Sequence, residues 1–232
     1  MKDNNGLLYS KLVGKSLLKK KVYQNTIEVF NELKKEAARL CEVTGMHLKR
    51  DGLDIQLNFQ DKGDMEAEIC FGSDTIVFGM HSNVFEFSRI HEVMKTPYIQ
   101  ADTTRSFCGQ ITFFNFLTDS FRFNRLNDMG YLVARIFINK EKFFLVEGKH
   151  QTGFYYNQFM PEAINQSAMR KILEAAMSYS VDFDLLVPPY DMVKEITVAD
   201  AVENHFNLKM KTAKRMGFKF LADHDQNNKN KD

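Results

Sequence analysis

Asp128, Glu147 and Lys149 are the residues of this sequence whose types and spacing could do chemistry together. The apolar run Phe143-Phe144-Leu145-Val146 leads straight into Glu147-Gly148-Lys149, and Asp128 stands at the base of the preceding apolar run. Carboxylate and amine side chains are the types that metal-assisted hydrolysis uses. The same spacing has a structural reading. Glu147 and Lys149 lie two apart on a strand, point to one face, and can pair where that face meets solvent. The sequence favours the structural reading.

The catalytic reading resembles the PD-(D/E)xK nuclease core over residues 126–180. That resemblance implies Asp128 and Glu147 as Mg²⁺ ligands, Lys149 as the residue that orients or activates the attacking water, and Asp128, Glu147 and Lys149 as the catalytic set. A helix before the strands and another after them is compatible with it.

Other patterns carry less. Val13-Gly14-Lys15-Ser16 suggests a phosphate loop, but Tyr9 occupies the position that needs the first glycine, and no apolar strand precedes it. Six histidines are scattered at 47, 81, 91, 150, 205 and 224, and His91-Glu92 lacks the second histidine of a zinc protease motif. Phe121-Arg122-Phe123-Asn124-Arg125 interleaves bases and rings as single-strand binders do, yet any half-exposed strand shows the same alternation. The 21 phenylalanines against no tryptophan fit a Phe-filled core, with a Phe-lined cup for an apolar ligand as the alternative.

The net charge of +1 argues for neither nucleic acid nor membrane as a partner. It is unevenly spread. Residues 1–50 carry a net +6, residues 206–232 a net +4, and the middle a net −9. Basic ends around an acidic body suit solvated faces, pairing between chains, or an acidic partner. Three widely spaced cysteines suit free thiols in the reducing cytoplasm. Neither a signal peptide nor a membrane span is expected.

The elements that must position the candidate residues follow from periodicity. Ile27, Phe30, Leu33, Ala37, Leu40 and Cys41 predict a helix over 15–44 with Gly45 as its C-cap. Asp51-Gly52 predicts a hairpin between strands at 47–50 and 53–59. Strands at 65–71, 75–80 and 84–87 follow, then a loop or helical insertion at 88–106, then strands at 110–117 and 121–125. Residues 131–148 read as a hairpin that is apolar on both faces, hence mid-sheet. With Lys140-Glu141 as a two-residue loop, Ile138 faces Phe143, Ile136 faces Leu145, and Ala134 faces Glu147. That register leaves a carboxylate among Ala134, Ile136 and Leu145. A helix over 162–180 follows, then a short strand or extended link at 184–187. Thr197 and Asp200 have capping-box spacing before a helix at 201–206, and 222–232 reads as a disordered tail.

The expectation is one α+β domain over 1–221: a curved antiparallel sheet of about seven to nine strands, 47–148, with a long N-terminal helix across one face. The mainly helical part at 161–221 goes to the other face or an edge. The expected function is a non-enzymatic binding or structural protein without a cofactor, with a protein partner or a homo-oligomer. The alternatives are the Mg²⁺-dependent nuclease and the apolar-ligand cup.

Overall fold

The computed structural model describes residues 4–148 and 159–184, and beyond them 187, 189–195 and 197–198. Helix α1 spans Asn4–Arg50. At 47 residues it is about 70 Å long. Its sheet-facing stripe is buried from Val22 to Cys41, through Val29, Phe30, Leu33, Ala37 and Leu40. Both ends therefore run past the packed stretch. Gly45 does not end the helix; its residue is within α1. The stop is Gly52, at φ 72°. Gly52 N–H donates to Lys49 C=O and Leu53 N–H to Leu48 C=O, the bonding of a Schellman motif. The Asp51-Gly52 signal thus closes a helix rather than a hairpin, and 47–50 is helical.

Seven antiparallel strands follow: β1 Leu57–Asp61, β2 Glu66–Phe71, β3 Asp74–Met80, β4 Phe85–Glu86, β5 Phe107–Leu117, β6 Tyr131–Asn139 and β7 Phe144–Gly148. Their order is β1-β2-β3-β5-β6-β7, with β4 added to β5. This is the expected curved, open α+β sheet. The segment expected as a strand at 121–125 is instead a short helix, α3, Thr118–Arg122. It is closed by Asn124 at φ 50° and by Arg125 N–H donating to Ser120 C=O. Phe121 packs on Phe116 rather than alternating across a sheet.

One sheet face takes Ile69, Ile76, Phe78, Ile111, Phe113, Ile136 and Val146 under α1. The C-terminal helix α4, Gln166–Val181, joins the same core through Met169, Ile172, Leu173 and Ala176. It therefore lies beside α1, where the sequence left the opposite face or an edge for it. Glu36, buried between the two helices, accepts from Gln166 Nε2 at 2.7 Å and lies 3.5 Å from Arg39 and 3.8 Å from Arg170. Phe30, Phe78 and Phe113 fill the interface by ring contact. A Cβ on Gly109 would sit 2.1 Å from Thr26 Oγ1, so α1 rests directly on the β5 backbone.

The insertion at 88–106 forms a 3-10 turn at Glu92–Lys95, helix α2 at Pro97–Ala101, and a second 3-10 turn at Thr103–Ser106. Val93 and Ile99 cover the outer sheet face over Cys108, Phe137 and Leu145. Among the described residues, no helix is long and apolar enough to cross a membrane. The link at 184–187 is only partly described; of the capping box Thr197 is described and Asp200 is not, and the helix at 201–206 and the tail at 222–232 lie outside the described residues.

Candidate functional site

The β6–β7 turn decides where Glu147 points. Lys140, Glu141 and Lys142 form a three-residue loop with Lys142 at φ 59°, closed by Asn139 N–H donating to Phe143 C=O at 3.1 Å. One residue more in the loop than the sequence suggested shifts β7 by one. Ile138 now faces Phe144, Ile136 faces Val146, and Arg135 faces Glu147. Glu147 therefore leaves the core face for the outer face. Its Oε2 accepts from Arg135 Nη2, and its Oε1 lies 3.4 Å from His91 Nε2. His91 Nδ1 accepts from Val93 N–H, so the neutral ring carries its proton on Nε2, toward Glu147.

Asp128 is held elsewhere. Its Oδ2 accepts from Ser120 Oγ at 2.6 Å and lies 3.2 Å from Arg125 Nε, in the turn between α3 and β6. Lys149, the third member of the candidate set, lies outside the described residues. Each candidate carboxylate is thus matched to its own arginine. Among the described residues, no group of three or more His, Cys, Asp or Glu side chains could hold a metal ion. No family model matches the chain, and no curated protein and no solved structure matches it. Function must be argued from the side chains alone.

The densest polar cluster is one the sequence did not single out. It ties the 88–106 insertion to the β6–β7 loop. Tyr98 Oη donates to Glu141 Oε2 at 2.7 Å and accepts from Asn139 Nδ2 at 2.8 Å. Arg105 Nε donates to Glu141 Oε1 at 2.9 Å, and its guanidinium lies 4.4 Å from the Tyr98 ring centre. Lys140 bonds Asp102 and Thr104 Oγ1, and Asn25 on α1 donates to the C=O of Asn139 and of Lys140. Burial and the bond to Glu141 push the Tyr98 hydroxyl well above its ordinary value. Burial opposes ionisation of Glu141, yet the bonds from Tyr98 and Arg105 prevail and hold its carboxyl low. Lys140, with Thr104, holds Asp102 low as well. Every charge here has a counter-charge, so the cluster acts as a clasp that fixes the insertion. Sequence spacing gives little sign of it, because its members come from four separated segments.

Two open surfaces stand out among the described residues. One is a hollow of about 520 Å³ on the outer face, bounded by Gln56, Lys62, Glu68, Cys70, Phe121 and Arg122. The other is the first stretch of α1, residues 4–21. It holds Leu7, Leu8, Tyr9, Leu12, Val13 and Leu17, each between 37% and 69% exposed. It also holds five lysines and no carboxylate.

Proposed function

We propose that this chain is a non-enzymatic interaction protein of the cytoplasm, and that the projecting arm of α1, residues 4–21, holds an acidic protein partner. The observation that carries this reading is the change of face along α1. From Val22 onward the sheet-facing stripe is mainly apolar; in the arm that stripe carries Lys11, Lys15 and Lys19 around a half-buried Leu18, with Lys15 Nζ 5.7 Å from the Phe107 ring centre. Tyr9, Val13 and Leu17, spaced four apart, form a stripe on the other side of the arm. Their apolar surface is turned from the protein's own sheet, and five lysines with no carboxylate among residues 4–21 favour a partner rich in carboxylates. The pairing of Glu147 with Arg135, and of Asp128 with Arg125, further supports a role without catalysis. The free thiols of Cys41, Cys70 and Cys108 suit a reducing compartment.

A photo-crosslinking residue placed at Val13 or Leu17 in living cells tests this. Discrete covalent adducts are expected from both positions and none from Glu174, an exposed position on α4. Failure of the arm positions to give an adduct overturns the reading.

A further inference from the structure

We propose that His91 is a pH-operated latch on the 88–106 insertion. The neutral ring holds the first turn of the insertion closed; the protonated ring lets that turn go and keeps only its hold on the sheet. The latch goes beyond the arm of α1 and is independent of it.

The imidazole works through both of its nitrogens. Nδ1 accepts from Val93 N–H at 3.2 Å, which makes His91 the N-cap of the 3-10 turn at Glu92–Lys95. Its backbone is extended, at φ −66° and ψ 140°, as a capping residue requires. On the other side of the ring, Nε2 lies 3.4 Å from Glu147 Oε1 on β7. A neutral ring serves both partners, because one nitrogen accepts while the other carries the proton. A protonated ring cannot. With a hydrogen on each nitrogen, Nδ1 has no lone pair to offer, and two N–H groups are left facing each other. The same proton turns the contact at Nε2 into an ion pair. Protonation therefore trades a cap for a charge pair.

The surroundings decide which side of the trade wins. The charged and titratable groups about the ring are Glu92 on its own turn, Glu147 on β7, Arg135 on β6 and the buried Cys108 thiol on β5. The Phe87 ring lies against it, 4.7 Å between centres. Both carboxylates already have a cation: Lys95 Nζ donates to Glu92 at 2.7 Å, and Arg135 bonds Glu147. The side chains of His91 and Glu147 also keep 35% and 29% of their surface in solvent. A new charge on His91 thus meets a carboxylate that is paired and well hydrated, where an ion pair gains little. The cap has no such substitute. A cation is also the wrong charge at the N-terminal end of a turn, where the free N–H groups are positive. The turn opens.

Val93 is the fully buried residue of that turn, and with Ile99 it covers Cys108, Phe137 and Leu145. Loss of the cap loosens that cover at one end only. The other end stays fastened by Tyr98 and Arg105 on Glu141, a clasp that contains no histidine. Histidine is the side chain whose ordinary charge change falls between pH 5 and pH 8. The insertion therefore loosens from its His91 end, over the range in which histidine takes its second proton.

Two measurements on the full chain test this. Nitrogen NMR of the His91 ring reads its protonation, and amide exchange, corrected for its intrinsic pH dependence, reads the turn. Between pH 8 and pH 5 His91 should gain its proton on Nδ1. Protection of Val93 and Met94 should then fall by about fivefold, the usual worth of an N-cap, while the β5–β6 ladder keeps its own. His91→Asn places at the same N-cap an amide oxygen that no proton removes in this range, so its Val93 and Met94 should be equally protected at both pH values. A ring that stays neutral at pH 5 overturns the proposal. So does a protonated ring with protection unchanged or raised, because the pair with Glu147 would then outweigh the cap. A fall that the His91→Asn variant repeats in full also overturns it, since the opening would come from another group.

Discussion

Arg135 stands directly across the β6–β7 ladder from Glu147, and its guanidinium bonds the carboxylate that an apolar register had seemed to bury beside Ala134. Arg135 and Glu147 keep 38% and 29% of their side-chain surface exposed. A pair so open to solvent contributes about 0–1 kcal/mol. Glu147→Ala is therefore expected to lower stability by no more than about 1 kcal/mol, the range of exposed pairs. Thermal unfolding of parent and variant, each with and without Mg²⁺, checks this. The parent should melt at one temperature in both conditions. A parent raised by Mg²⁺, with a Glu147→Ala variant more stable than the metal-free parent, would instead restore the nuclease reading.

The interior of α1 and its seat on β5 yield a pair of opposite glycine effects. A Cβ at Gly45 meets nothing within 4 Å, and no positive φ holds that residue. Gly45→Ala should stabilise the protein by about 0.5–1 kcal/mol, the ordinary helix-interior difference. Gly109→Ala, by contrast, places a methyl 2.1 Å from Thr26 Oγ1 and 2.8 Å from its Cβ. The helix must then lift from β5, at a cost of about 1–3 kcal/mol or more. Denaturant titration of the two variants reads both signs. Equal effects would mean that α1 does not rest on the β5 backbone at Gly109.

Those glycines also show what was legible. The apolar spacing of Phe30, Leu33, Ala37 and Leu40 placed a helix on the sheet, because a buried stripe repeats at the helical period. Its true extent was not legible. Residues 6–21 bury only Leu18, and that in part, so no buried stripe marks them, and Asp51-Gly52 serves a helix stop as readily as a hairpin turn. The candidate site failed for a related reason. Strand period is two, so one extra loop residue reverses every side chain of β7. That residue is Lys142 in a left-handed conformation, which glycine or asparagine would have advertised and lysine does not. Asp128 gave no warning that the chain before it was helical, since Phe121-Arg122-Phe123 alternates as a strand would.

The clasp at the insertion makes a sharper claim. Tyr98→Phe removes one hydroxyl and leaves Glu141 Oε2 and Asn139 Nδ2 without their partner. Partly buried groups stranded in this way should cost about 1–3 kcal/mol. Hydrogen exchange should quicken across 88–106 and in the β6–β7 loop while the centre of β3 and β5 keeps its protection. Uniform quickening over the whole sheet would mean that the insertion is part of the core rather than fastened to it.

The last expectation concerns alkaline pH. Burial, with the nearby Glu147 charge, pushes the Cys108 thiol up to about 12, and burial pushes Cys41 up to about 11, each from 9.0. Below pH 9 both thiols are protonated in the folded and the unfolded chain alike, and their contribution is fully present. Between pH 9 and pH 12 the unfolded chain ionises Cys108 while the folded chain keeps it neutral, so stability is lost as pH rises. From pH 8 to pH 10.5 the loss assigned to Cys108 is about 2 kcal/mol, at about 1.4 kcal/mol for each pH interval above 9. Cys108→Ala should flatten that part of the slope, even though the substitution itself costs some packing. The comparison is between slopes, so a fixed packing cost drops out. Parent and variant melting temperatures that fall in parallel from pH 8 to pH 10.5 would show that Cys108 ionises as readily folded as unfolded. That would place it nearer solvent than a residue covered by Val93, Ile99 and Phe137 can be.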